Sequence, residues 1–134
     1  MYELLNTFQE CPNLTSFCLS SLSSVRYYAM PATFSNCSSL IKADYESLVY
    51  IKSDRPMCQT HINNTSLISA NFPSLLTIEY GGLAECFQNC TSLKTVKYPK
   101  LSSNTNGGFD LTHQNNISLI DVDLKNLIVS NTFN

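Results

Sequence analysis

The chain has no tryptophan, only four glycines and five prolines in 134 residues, and a charged fraction of 13%, about half the usual share. So little glycine and proline excludes a disordered linker protein. A net charge of -2 supplies no broad basic field, so nucleic acid is not an expected partner. No run approaches the roughly 18 apolar residues needed to cross a bilayer, so membrane insertion is not expected. Residues 1–17 also lack the basic start and apolar stretch of a signal peptide. What is present is a hydrophobic fraction of 43%, enough for one domain, 1–134, with a real core. Ser, Thr and Asn take the place of charge, which predicts a polar but weakly charged surface.

The dominant signal is internal repetition. Leu14, Leu40, Leu67, Leu93 and Leu119 are spaced by 26, 27, 26 and 26 residues. Three residues after each leucine stand Phe17, Ala43, Ala70, Val96 and Val122, and two further on Leu19, Tyr45, Phe72, Tyr98 and Leu124. Three more give Leu22, Leu48, Leu75, Leu101 and Leu127. The middle of each unit alternates with period two, as a short strand with one buried face does.

Upstream of the leucine the character changes. One column holds Phe8, Phe34, His61, Phe87 and His113, and the column three residues later holds Cys11, Cys37, Asn64, Cys90 and Asn116. A separation of three places both on one face of a helical turn, and the Thr that opens most of these stretches could cap it. Met30, Met57, Leu83 and Phe109 form a further apolar column, and Gly81-Gly82 and Gly107-Gly108 share a register that marks a bend. A single unit cannot bury its apolar face, whereas stacked units bury a continuous core. The expected fold is therefore α/β: a short right-handed leucine-rich-repeat solenoid of about five repeats, with a parallel sheet on one side and short helical turns on the other.

The combination Phe-x-x-Cys-x-Ser-Leu followed by the strand residues, clearest over 86–99 and 33–45, resembles the BspA-type leucine-rich repeat. The resemblance spans roughly residues 7–129, although the third and fifth units carry His and Asn in place of Phe and Cys. It implies an extracellular or cell-surface setting, often bacterial, and a role as an adhesin or interaction scaffold.

Catalytic and metal chemistry find little support. Cys11, Cys37 and Cys90 share a column whose other occupant is Asn, which reads as a buried ladder of small side chains. Equivalent positions in stacked units point in parallel, a poor geometry for disulfides. Cys86 and Cys90 have no second pair at metal-ligand spacing. Cys18 faces the open side of the sheet, and Cys58 belongs to no ladder. His61 and His113 occupy a core column and are better read as structural than as bases. No metal, cofactor or catalytic constellation is expected, and the chain reads as a non-enzyme. Six Asn-x-Ser/Thr sequons, at Asn13, Asn36, Asn63, Asn64, Asn89 and Asn116, are a by-product of the repeat consensus.

The candidate functional surface is the exposed, concave face of the sheet, where alternate residues leave the core. Its candidate binding residues are Lys42, Asp44, Ser69, Asn71, Thr95, Lys97, Asp121 and Asp123, with Ser16 and Cys18 heading the two columns. Tyr27, Tyr28, Tyr50 and Tyr80 could add aromatic anchors at an edge. The expected function is a binding module for a protein or glycan; the alternative is a spacer or assembly segment of a larger surface protein. Only residues 1–6 precede the first unit and Asn134 stops partway through the fifth, where solenoids usually carry polar caps. The expectation is end-to-end homo-association, or Phe133 folding over the last apolar flank.

Overall fold

The computed structural model describes residues 4–128. It is a β-solenoid of about four turns. The strands are short: β1 (Ser24–Arg26), β2 (Lys42–Asp44), β3 (Tyr50–Lys52), β4 (Ser69–Asn71), β5 (Thr77–Ile78), β6 (Thr95–Lys97), β7 (Ser103–Asn104) and β8 (Asp121–Asp123). They form two parallel sheets, ordered β1-β3-β5-β7 and β2-β4-β6-β8. The second sheet is the one expected from the repeat, with Ala43, Ala70, Val96 and Val122 stacked in register. The first was not expected. Its inward column is Val25, Ile51 and Ile78, all buried.

The α/β leucine-rich-repeat expectation is corrected on two points. The described residues contain no helix, and the stretches expected to be helical turns are chains of tight turns. Within each turn of the solenoid a left-handed residue recurs every four positions: Tyr28, Ala32 and Asn36, then Arg55, Gln59 and Asn63, then Gly81, Glu85 and Asn89, then Gly107, Leu111 and Asn115. A right-handed helix cannot be propagated through such residues. Instead the backbone alternates. The N–H groups of Met30, Ala32, Phe34 and Asn36 donate to carbonyls of the next turn, at Pro56, Cys58, Thr60 and Ile62. Those of Thr33 and Ser35 turn back to Met30 and Ala32. Pro31 followed by Ala32 at φ 50° is the residue pattern of a type II turn. Thr does not cap a helix here: the Thr33, Thr60 and Thr112 hydroxyls donate to Leu4, Met30 and Leu83 carbonyls of the preceding turn.

The second correction concerns the first unit. No strand forms at 16–18, because Phe17 stands where the other units have Ala or Val. Its ring is too large for that column and lies across the core, 4.3 Å from the Phe34 ring centroid and 5.4 Å from that of Tyr45. The extra residue of the 27-residue unit falls near Ser53. Arg26 and Lys52 pair 26 apart, whereas Met30 and Met57 occupy one column 27 apart, and Ser53 itself is left-handed at φ 70°.

Side chains stack in ladders along the axis. Phe8, Phe34, His61, Phe87 and His113 form a near-parallel stack with centroid spacings of 5.4, 5.4, 5.5 and 5.9 Å. Tyr45, Phe72 and Tyr98 form a second at 5.0 and 5.1 Å. Leu40, Leu67 and Leu93, and Leu48, Leu75 and Leu101, are fully buried. Outside them runs an amide ladder in which Asn63 donates to Asn36, Asn89 to Asn63 and Asn115 to Asn89, at 3.0, 2.8 and 2.8 Å. At the last turn Leu119, Val122, Leu124 and Leu127 are only partly buried, and Phe133 lies outside the described residues.

Candidate functional site

The outward face of β2, β4, β6 and β8 presents two columns. Lys42, Ser69, Thr95 and Asp121 stand in register in the first, and Asp44, Asn71, Lys97 and Asp123 in the second. Lys42, Asp44, Lys97 and Asp121 are exposed, while Ser69, Asn71, Thr95 and Asp123 are half-buried. Strand pairing thus brings all eight candidate residues onto one surface. Ser16 and Cys18 belong to no strand, although Cys18 lines a recess with Asp44 and Glu46 at the edge of this surface. Asn71 donates to Asp44 at 2.5 Å across neighbouring turns. Asp123 meets Lys125 at 3.8 Å, an exposed pair of small energetic weight. Among the described residues Lys42 and Lys97 form no ion pair, so their ammonium groups are free to meet a partner.

A feature missed in the sequence borders this face. Ile41, Ile68 and Ile120 are 39%, 42% and 80% exposed, in one column with Lys94. With Ser66, Ser92 and Ser118 the first two and Lys94 line a groove of about 410 Å³. The signal was the recurrent Ser-Leu-Ile at 39–41, 66–68 and 118–120, where the residue after each buried leucine must point outward.

The interior holds the histidines and most of the thiols. His61 is fully buried. Asn64 Oδ1 accepts the Cys37 N–H at 2.8 Å, which leaves Asn64 Nδ2 to donate to His61 Nδ1 at 3.2 Å. The imidazole proton then sits on Nε2 and donates to Tyr45 Oη, 2.7 Å away. Desolvation lowers the His61 pKa to about 3, so the ring is neutral and closed to solvent, unsuited to a base. The equivalent group in the last turn is looser. His113 Nδ1 lies 3.5 Å from Asn116 Nδ2, and His113 Nε2 and Tyr98 Oη are buried without a partner.

All six cysteines are free thiols; Cys37, Cys86 and Cys90 are buried, Cys11 and Cys58 intermediate and Cys18 exposed. Cys11 thus sits less deeply than the ladder implied, because it belongs to the outermost turn. The Cys37 and Cys90 thiols donate to the carbonyls of Phe8 and His61, each at 3.1 Å, and burial pushes the Cys90 pKa up to about 12. No thiolate–imidazolium pair arises from such groups. Among the described residues no group of three His, Cys, Asp or Glu side chains is placed to hold a metal, and no helix is long and apolar enough to cross a membrane. The side-chain nitrogens of Asn63 and Asn89 are engaged in the amide ladder, and Asn64 is buried. Those sequons are therefore structural positions.

Tyr27, Tyr28, Tyr50 and Tyr80 are 55%, 49%, 39% and 53% exposed. They lie at and just beyond β1, β3 and β5, on the other side of the solenoid from the Lys42–Asp123 surface. No known family, curated protein or solved structure matches the chain.

Proposed function

We propose that the protein is a non-catalytic binding module, secreted or displayed at a cell surface, whose protein or glycan partner meets the outward face of β2, β4, β6 and β8. One observation carries this reading: the inward column of that sheet is uniformly small and apolar, Ala43, Ala70, Val96 and Val122, while the outward columns change chemistry at every step but Ser69 to Thr95. Lys42 is followed by Ser69, Thr95 and Asp121, and Asp44 by Asn71, Lys97 and Asp123. The scaffold leaves those positions free, and two unpaired lysines alternate there with three aspartates, an arrangement that favours a partner of complementary pattern. Ile41 and Ile68 supply an apolar border of the kind found beside polar contacts in interfaces.

The test is binding to arrays of glycans and of candidate protein partners, with the wild type beside a Lys42→Glu/Lys97→Glu variant. Reversing two charges on the face should abolish binding of the partner found, while Lys100→Glu, off the face, should leave it intact. Equal binding by all three proteins would refute the assignment.

A further inference from the structure

At the corner that follows β1, β3 and β5, one column holds Tyr28, Arg55, Gly81 and Gly107. All four are left-handed, at φ 55°, 41°, 66° and 70°. Tyr28 and Arg55 demonstrate that the backbone of this column tolerates large side chains. Glycine at 81 and 107 relieves the strain of a left-handed residue, and it also leaves two successive turns without a side chain. The result is a recess of about 240 Å³ lined by Asp54, Arg55, Tyr80, Asn106 and Asp110 around the two glycines. A β-carbon on Gly107 would meet only Asp110, at 3.9 Å, so the space is open there, whereas Gly81 is covered by Arg55, whose Cγ and Nε would lie 3.2 and 3.6 Å from an added β-carbon.

The chemistry of the lining is specific. Tyr80 offers an exposed ring, and Arg55 offers guanidinium donors. Asp54 and Asp110 offer acceptors, and the Asn106 side chain offers both. Only Asp54 is engaged, accepting from Tyr28 Oη at 3.0 Å; among the described residues neither Arg55 nor Asp110 forms an ion pair. An aromatic face beside intermingled donors and acceptors matches a pyranose ring, which presents C–H groups on one face and hydroxyls around its edge. One arginine among two carboxylates disfavours an anionic ligand, and the recess has no deep apolar hole for a peptide side chain. Tyr28 borders the recess through its bond to Asp54, whereas the Tyr50 ring is covered by the Lys52 ammonium, 4.7 Å from its centroid.

We propose that this recess is a subsite for a neutral oligosaccharide, with Tyr80 as the stacking platform and Arg55, Asn106 and Asp110 as hydroxyl partners. It is separate from the Lys42–Asp123 face, so either assignment can fail without the other. The test is titration of the whole protein with chito-, cello- and manno-tetraoses, and with tetragalacturonate as the anionic contrast, followed by NMR or calorimetry. At least one neutral series should bind. Tyr80→Ala and Asp110→Ala should each weaken that binding about tenfold or more. Gly107→Tyr, which puts into the recess the residue found at Tyr28, should abolish it with an unchanged circular dichroism spectrum. Lys100→Ala, exposed and outside both surfaces, should bind as wild type. Binding of none of the neutral sugars at millimolar concentration would overturn the proposal. So would binding of tetragalacturonate alone, or sugar binding that survives both Tyr80→Ala and Gly107→Tyr.

Discussion

Replacing His61 by Phe tests whether the core ladders are interchangeable or coupled. The change keeps the ring stack, since Phe34 and Phe87 lie on either side of His61 at 5.4 and 5.5 Å. It removes both partners of the imidazole, leaving Tyr45 Oη and Asn64 Nδ2 buried and unpaired. At roughly 1–3 kcal/mol for each orphaned group, less the gain from a more apolar ring, His61→Phe should cost about 3 kcal/mol. Asn64→Cys alone strands His61 Nδ1 and frees the Cys37 N–H, and should cost a similar amount. The chain itself indicates the repair. Tyr45 with His61 and Asn64 is replaced one turn on by Phe72 with Phe87 and Cys90, and Phe72 meets Phe87 edge-on at 6.2 Å much as Tyr45 meets His61 at 5.8 Å. The pairing of His with Asn is thus part of a set of three. The double variant His61→Phe/Asn64→Cys should recover only part of the loss, because Tyr45 Oη and the Cys37 N–H stay unpaired. The triple variant adding Tyr45→Phe leaves only the Cys37 N–H unpaired and should lie within about 1–3 kcal/mol of wild type, well short of the summed single losses. Urea unfolding with constant m-values measures all of these. A triple variant whose loss equals the sum of the single losses would refute the coupling.

The same histidine sets a pH dependence. His61 and His113 are neutral in the fold, with pKa values lowered by desolvation to about 3 and about 4, while in the unfolded chain they take up a proton near pH 6.5. The unfolded state therefore binds more protons below that pH. Their contribution is intact above about pH 6.5 and declines toward the folded values, by up to about 1.4 kcal/mol per pH unit for each ring. Urea midpoints at pH 7.5 and pH 5 should differ in that direction, and less so in the triple variant. A thiol reagent should label Cys18 first, Cys11 and Cys58 next, and Cys37, Cys86 and Cys90 only on unfolding; rapid labelling of all six in the native state would contradict their burial. Asn63 sits at φ 62° within the amide ladder. Asn63→Ala should lose both the ladder bonds and the tolerance of left-handed backbone, a term of about 1–2 kcal/mol, and so should be less stable than Asn63→Gly. Equal midpoints would show that the backbone term is absent.

The solenoid was legible in the leucine period because spacing alone decides which residues stack. The columns of Leu40, Tyr45 and Leu48, the buried His61 and the face bearing Lys42 and Asp44 follow from it. Helical turns were misread because a separation of three, as between Phe34 and Cys37, brings two side chains together across a tight turn as well as on a helix. The correcting signal was Asn36, Asn63, Asn89 and Asn115 in one column, since asparagine is among the few residues that accept a left-handed backbone. The strands of the sheet of β1, β3, β5 and β7 run two or three residues against three in the other sheet, and that sheet escaped notice because its inward column does not stay apolar. Its fourth inward position is Asn104, which breaks the apolar column of Val25, Ile51 and Ile78. The recess at Gly81 and Gly107 was read as a bend. Its shape depends on side chains that are missing from one column and present in those beside it, information that appears only once the turns are stacked.

The bonds that close each turn onto the next, such as Met30 to Pro56, Arg55 to Tyr80 and Leu83 to Gly108, all bridge nearly one full repeat of chain. Under tension applied to its two ends, such a stack gives way at whichever outer turn is weaker, and the break then travels inward. Each 26-residue loop released adds roughly 85–95 Å of extended chain, while the remaining turns keep their own packing. The molecule would resist force as a zip does, one tooth at a time. The first turn, which lacks a strand at Phe17 and joins the sheets through β1 alone, is the natural place for it to begin to open.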